Sequence, residues 1–113
     1  MKRGELWTLK DRSYAAKARP VVIVQADAEN NFDSVILCLF TSFESENMLT
    51  RVKIEPTAGN GLEKISYVMT EKIITVEKTL LGRHIGNLTS EEMHRISGNL
   101  AKLLDIQKND ITE

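Results

Sequence analysis

The chain has 113 residues, enough for one compact core and not for two. With 42% hydrophobic and 27% charged residues and a net charge of −1, it is neither a disordered chain nor a globally basic nucleic-acid binder. No apolar run approaches a membrane span and no apolar leader opens the chain, so a single domain over residues 1–113 in the cytoplasm is expected.

Gly4 to Leu9 alternates polar and apolar residues, which predicts a half-buried first strand with Leu6 or Trp7 towards the core. Lys10 to Ala18 is polar and lacks strand periodicity, so it reads as a long loop. A cation and a proline, Arg19-Pro20, then feed into Val21-Val22-Ile23-Val24. Branched side chains favour a pleated, buried strand, predicted over Arg19 to Ala26. Pro20 suits a strand's first residues because it has no N–H to give a ladder and biases Arg19 towards extended backbone. Arg19 therefore stands where loop becomes core. A guanidinium on a rigid strand end is well placed to grip a phosphate; a surface arginine beside an ordinary strand is the alternative.

Asp27 to Asp33 carries turn chemistry, and Val35 to Thr41 is an apolar third strand ending in a hydroxyl. The one cysteine, Cys38, lies inside that run and has no partner for an internal disulfide; it reads as a buried small hydrophobe in a reducing compartment. Ser42 to Thr50 is a second polar loop. Arg51 to Glu55 alternates, sending Val52 and Ile54 inward. Gly59-Asn60-Gly61 marks a tight turn that needs positive φ, read as a hairpin turn or a close backbone approach to a ligand. Ile65 to Met69 and Lys72 to Val76 read as two strands around Thr70-Glu71, and Gly82-Arg83-His84 as a connecting segment. Thr89 with Glu92 forms a capping box, and Met93, Ile96, Leu100, Leu103 and Leu104 follow at helical spacing along one face. Asn109 to Glu113 reads as a frayed tail. Strands first and one amphipathic helix last predict a mainly β (α+β) fold, a small barrel or bent sheet plugged by that helix. Residues 1–20 hold six cations against two carboxylates, an uneven field suited to an anionic partner or simply a solvated charge mixture.

The order Gly4-Glu5-Leu6-Trp7, Arg19-Pro20-Val21-Val22-Ile23-Val24-Gln25, Leu39-Phe40-Thr41-Ser42, Gly61-Leu62, Ser66-Tyr67-Val68, Glu71 to Val76 and Ile85 to Leu88 resembles the MazF/PemK (Kid-like) toxins of bacterial toxin–antitoxin pairs. The likeness covers residues 2 to about 106, with the Arg-Pro-Val-Val strand its most specific piece. It implies an SH3-like small barrel of the MazF/PemK/CcdB type and a homodimer. It also implies a metal-independent endoribonuclease that cuts single-stranded RNA (mRNA) at short sequences, and an antitoxin whose acidic, disordered tail blocks the RNA groove. The family's catalytic arginine and threonine fall on Arg19 and Thr41. Glu71 sits where relatives carry an acidic residue and is a candidate base or nucleobase contact; a turn carboxylate in water is its alternative. Two positions depart from the family: the loop 11–18 has no glycine, and Ile74 replaces a basic residue, so no cleavage triplet is carried over.

The implied reaction uses the ribose 2′-OH as nucleophile on the adjacent phosphorus, giving a 2′,3′-cyclic phosphate and a 5′-OH. It needs in-line geometry and stabilisation of the phosphorane oxygens. Arg19 is suited to the electrostatics but is a poor base, and Thr41 to hydrogen-bonding a phosphate oxygen. Lys10, Arg12 and Lys17 are candidate RNA-backbone contacts, with Ser42 beside Thr41. Tyr14 and Phe43 are candidates for stacking on bases, or loop aromatics covering the core. His84 and His94 read as surface or packing residues, and no cluster with metal spacing or phosphate-cradling glycine loop stands out, so neither metal nor cofactor is expected. Two rivals remain: a CcdB-like gyrase poison, opposed by the lack of an aromatic close in Asp105 to Glu113, and a non-catalytic SH3-like binding module.

Overall fold

The computed structural model describes residues 1–10, 18–29, 31–44 and 49–110. Within them lie six strands: β1 (Glu5–Leu9), β2 (Arg19–Ile23), β3 (Ser34–Thr41), β4 (Arg51–Ile54), β5 (Ser66–Glu77) and β6 (Leu81–Asn87). One α-helix, α1 (Ser90–Leu103), follows them, besides three single-turn 3-10 segments among the described residues. The strands form one antiparallel sheet in the order β4-β5-β3-β2-β1-β6, so the mainly β class with a C-terminal helix holds. Hydrogen bonding leaves β4 and β6 as edges and does not close a ring.

The continuous apolar run at the start of β2 reflects burial on both faces of the sheet. Val22 and Val24 join a core with Leu6, Cys38, Phe40, Val52, Ile54, Val68, Leu88 and Ile96. Val21 and Ile23 join a second core with Leu9, Val35, Leu37 and Leu81. The same parity settles β1: Leu6 faces the first core and Trp7 packs on the second. Cys38 is fully buried, and burial pushes its thiol up to about 12 despite the opposing field of Arg3, so it packs and does not react.

Helix α1 covers the first core through Ile96, Met93 and Leu100. Its capping box is complete: Thr89 Oγ1 accepts from the Glu92 N–H at 3.1 Å, and Glu92 Oε1 accepts from the Thr89 N–H at 2.9 Å. Leu103 and Leu104, expected on the inward stripe, are exposed where the helix ends. Arg3 donates to the Val24 carbonyl and the Ser97 hydroxyl, so one N-terminal cation ties strand to helix.

Two expectations are corrected. The strands expected on either side of Thr70-Glu71 are a single 12-residue strand, β5. Its pairing with β3 jumps from Cys38↔Ile73 to Leu39↔Met69, so residues 70–72 bulge out of the ladder, with the Thr70 hydroxyl donating to the Thr50 carbonyl. The supposed connecting segment around Gly82-Arg83-His84 is edge strand β6, paired to β1 with two register shifts.

Candidate active site

Arg19 opens β2 and Thr41 closes β3. The two strands pair as Val21↔Leu39, and continuing that register by two residues sets Arg19 opposite Thr41 on neighbouring strands. Arg19 shares parity with Val21 and Thr41 with Leu39, so both side chains leave the same face. Both line one cleft of about 410 Å³, with Thr8, Ala18, Pro20 and Ser42 on the same side. Thr41 Oγ1 accepts the Phe43 N–H at 3.1 Å, which pins the hydroxyl and leaves its proton to donate outward.

The facing wall comes from the chain between β4 and β5, through Gly61, Leu62, Glu63 and Lys64, and from Arg83 and Ile85 of β6. Buried Asn60 organises it: Oδ1 accepts from the Thr57 and Leu62 N–H groups at 3.0 Å each, and Nδ2 donates to the Glu55 carbonyl at 2.8 Å. Gly61 has φ +71°, and a Cβ there would overlap the Ile85 carbonyl. A Cβ at Gly86 would overlap the backbone of Gly59 and Asn60. The turn therefore presses on β6 with nothing between them, and that contact shapes the cleft. The glycine pattern served a backbone–backbone approach.

Glu71 does not reach this cleft. Its carboxylate accepts from Thr50 Oγ1 at 2.9 Å and from Arg51 Nε and Nη2 at 3.2 and 3.0 Å. Partial burial alone would raise its pKa, but its own amide, Thr50 and Arg51 outweigh that and hold the carboxyl below its ordinary value. Phe43 is 73% exposed and, like Lys10, is not among the lining residues. Lys10 lies along β6, its Cε 3.2 Å from where a Gly82 Cβ would stand. Arg12, Tyr14 and Lys17 fall outside the described residues.

His84 packs, as expected: it stacks on Trp7 with ring centroids 5.4 Å apart, and its Nε2 lies 2.9 Å from the Gly86 carbonyl. His94 is exposed on α1 and does not line the cleft. Among the described residues, no group of three His, Cys, Asp or Glu side chains could hold a metal ion, and no helix is long and apolar enough to cross a membrane. Sequence reasoning passed over Lys64 and Arg83, which with Arg19 make three cations against one carboxylate, Glu63, among the described lining residues. Only the topology brings them beside Arg19.

A profile described as PemK-like, MazF-like toxin of type II toxin–antitoxin systems matches residues 2–104. The chain belongs to that family. It is 36% identical over 107 residues to "Probable endoribonuclease MazF" of Mycolicibacterium smegmatis, covering 94% of this chain and 98% of the relative. Among solved structures it is similar to a mycobacterial endoribonuclease in complex with its cognate antitoxin, with a TM-score of 0.79 and 28% identity over 95% of this chain and 97% of that one. The MazF of a MazE–MazF complex from Deinococcus radiodurans shares the fold at a TM-score of 0.76 and 16% identity, covering 95% and 97% of the two chains. The family match thus spans β1 to α1 and takes in every described residue that lines the cleft.

Proposed function

We propose that this toxin is a sequence-specific, metal-independent endoribonuclease that cuts single-stranded RNA, mRNA in particular, between the walls of the Arg19–Thr41 cleft. The supporting observation is that Arg19 and Thr41, on facing strand ends, both line one cleft together with Lys64 and Arg83. The ribose 2′-OH attacks the adjacent phosphorus, the bond to the 5′-oxygen breaks, and a 2′,3′-cyclic phosphate and a 5′-OH result. Arg19 balances the charge growing on the phosphorane oxygens; Thr41 donates a hydrogen bond that holds the phosphate in line. Ser42, with Arg12, Tyr14 and Lys17 from the sequence before Arg19, extends the contact along the strand, as do Lys10 and Phe43 at its margins. Glu71 supports the bulge beside β4 and is left out of the chemistry. The protein works as a cytoplasmic homodimer, and a cognate antitoxin with an acidic, disordered tail silences it.

Mapping cut sites and end groups on a mixed RNA pool in the presence of a chelator tests this. Cyclic phosphate and 5′-OH ends, undiminished by chelation and lost in a folded Arg19→Ala variant by at least about 10³-fold, are expected. An Arg19→Ala variant that still cuts would remove Arg19 from the reaction, and toxicity without any cutting would favour a CcdB-like binding toxin.

A further inference from the structure

Arg83 lies on β6 and Arg19 on β2, with β1 between them. Adjacent strands stand about 4.8 Å apart, so the two backbones start about 10 Å from each other along the cleft. The root of Arg83 is fixed, because its N–H donates to Thr8 Oγ1 at 2.9 Å where β6 slips register against β1. Lys64 enters from the facing wall, two residues before β5; its carbonyl accepts from Ser66 Oγ at 3.0 Å. Among the described residues, neither the Arg83 guanidinium nor the Lys64 ammonium has a hydrogen-bond or ion-pair partner. A catalytic guanidinium and hydroxyl suffice for one phosphate, which leaves these two cations beside it to be accounted for. Among the described residues Glu63 is the one carboxylate lining the same space, against Arg19, Lys64 and Arg83.

We propose that Arg83 and Lys64 form a second phosphate subsite, which holds a phosphate of the RNA strand next to the scissile one. This rests on the reading of the cleft as the RNA site. The subsite contributes grip, while Arg19 and Thr41 keep the chemistry. It makes the toxin discriminate by substrate length: a strand with two or more consecutive phosphates engages both subsites, and a dinucleotide engages only the scissile one. A guanidinium suits this position because its planar donor fork pairs with two phosphate oxygens at once.

The experiment compares wild type, Arg83→Gln, Lys64→Gln and the double variant on an oligonucleotide carrying the mapped cut site and on the dinucleotide that spans it. For Arg83→Gln, the ratio of kcat/KM for oligonucleotide over dinucleotide is expected to fall about tenfold, mostly through KM. The salt slope for binding an uncleavable 2′-O-methyl strand should shrink by about 0.7. An unchanged ratio overturns the subsite, whether Arg83 acts at the scissile phosphate or touches no RNA. So does a loss confined to binding of an acidic peptide. If the wild-type protein cuts no RNA, the functional reading fails by itself; the 2′-O-methyl strand still tests the subsite, and a salt slope left unchanged by Arg83→Gln is fatal to it.

Discussion

Thr41 ends β3 and Glu71 lies at the bulge of β5, and their oxygens are differently committed. Both Glu71 oxygens already accept from Thr50 and Arg51, whereas Thr41 keeps its hydroxyl proton. Glu71→Gln therefore belongs to stability. The native carboxyl ionises below its ordinary value of 4.5, so folding favours the charged form. That contribution is complete above about pH 4.5 and disappears as the pH falls through the lowered native value. The Arg51–Glu71 pair is mostly shielded, with side chains 16% and 20% exposed, and its loss costs about 1 kcal/mol. Urea unfolding at pH 7 should show that deficit, and repetition at successively lower pH should show the two proteins converging as the carboxyl becomes protonated in the native state. RNA cutting by Glu71→Gln should stay within a fewfold of wild type; a collapse in kcat with unchanged stability would return the residue to the mechanism.

Two glycines in different elements separate shape from propensity. Gly61 sits at positive φ against the Ile85 carbonyl, whereas Gly98 lies in α1 with open space where a Cβ would stand. Gly61→Ala must both adopt a left-handed backbone and lift the turn from β6, costing about 2 kcal/mol or more and opening the cleft wall. Gly98→Ala only gains helix propensity, about 0.5–1 kcal/mol of stability. Thermal melts of the two variants should move in opposite directions, and only Gly61→Ala should lose cleavage at a temperature where it remains folded. The elements themselves were legible where pattern and burial agree. The apolar run of β2, the alternation of β4 and the capping box at Thr89 each state their structure locally. β6 was not legible, because Leu81 to Asn87 contains two glycines and neither an apolar run nor an alternation. It becomes a strand by pairing with β1, which tolerates its register slips. The continuity of β5 was hidden for a related reason: the bulge at residues 70–72 interrupts the period that would have announced it.

Across the whole molecule, net charge conceals the field that matters. The chain is at −1, yet among the described residues the cleft gathers Arg19, Lys64 and Arg83 against one carboxylate, Glu63. The N-terminal excess of cations was visible in the sequence, but Arg3 in that excess is spent on Val24 and Ser97. The cations that complete the cleft come instead from the turn before β5 and from β6. No local pattern could announce that meeting of remote segments. A cleft of this sign draws any flexible polyanion, and carboxylates pair with guanidinium groups in the same forked geometry as phosphates. An acidic, disordered peptide is therefore expected to compete with RNA for the same donors. Titrating an oligo-glutamate peptide against cleavage should raise KM in proportion to peptide while kcat holds. Raising the salt from about 50 to 200 mM should weaken peptide and RNA together. Inhibition that lowers kcat at constant KM would place the peptide elsewhere on the toxin. Tight inhibition insensitive to salt would show that apolar contacts, not these cations, carry the binding.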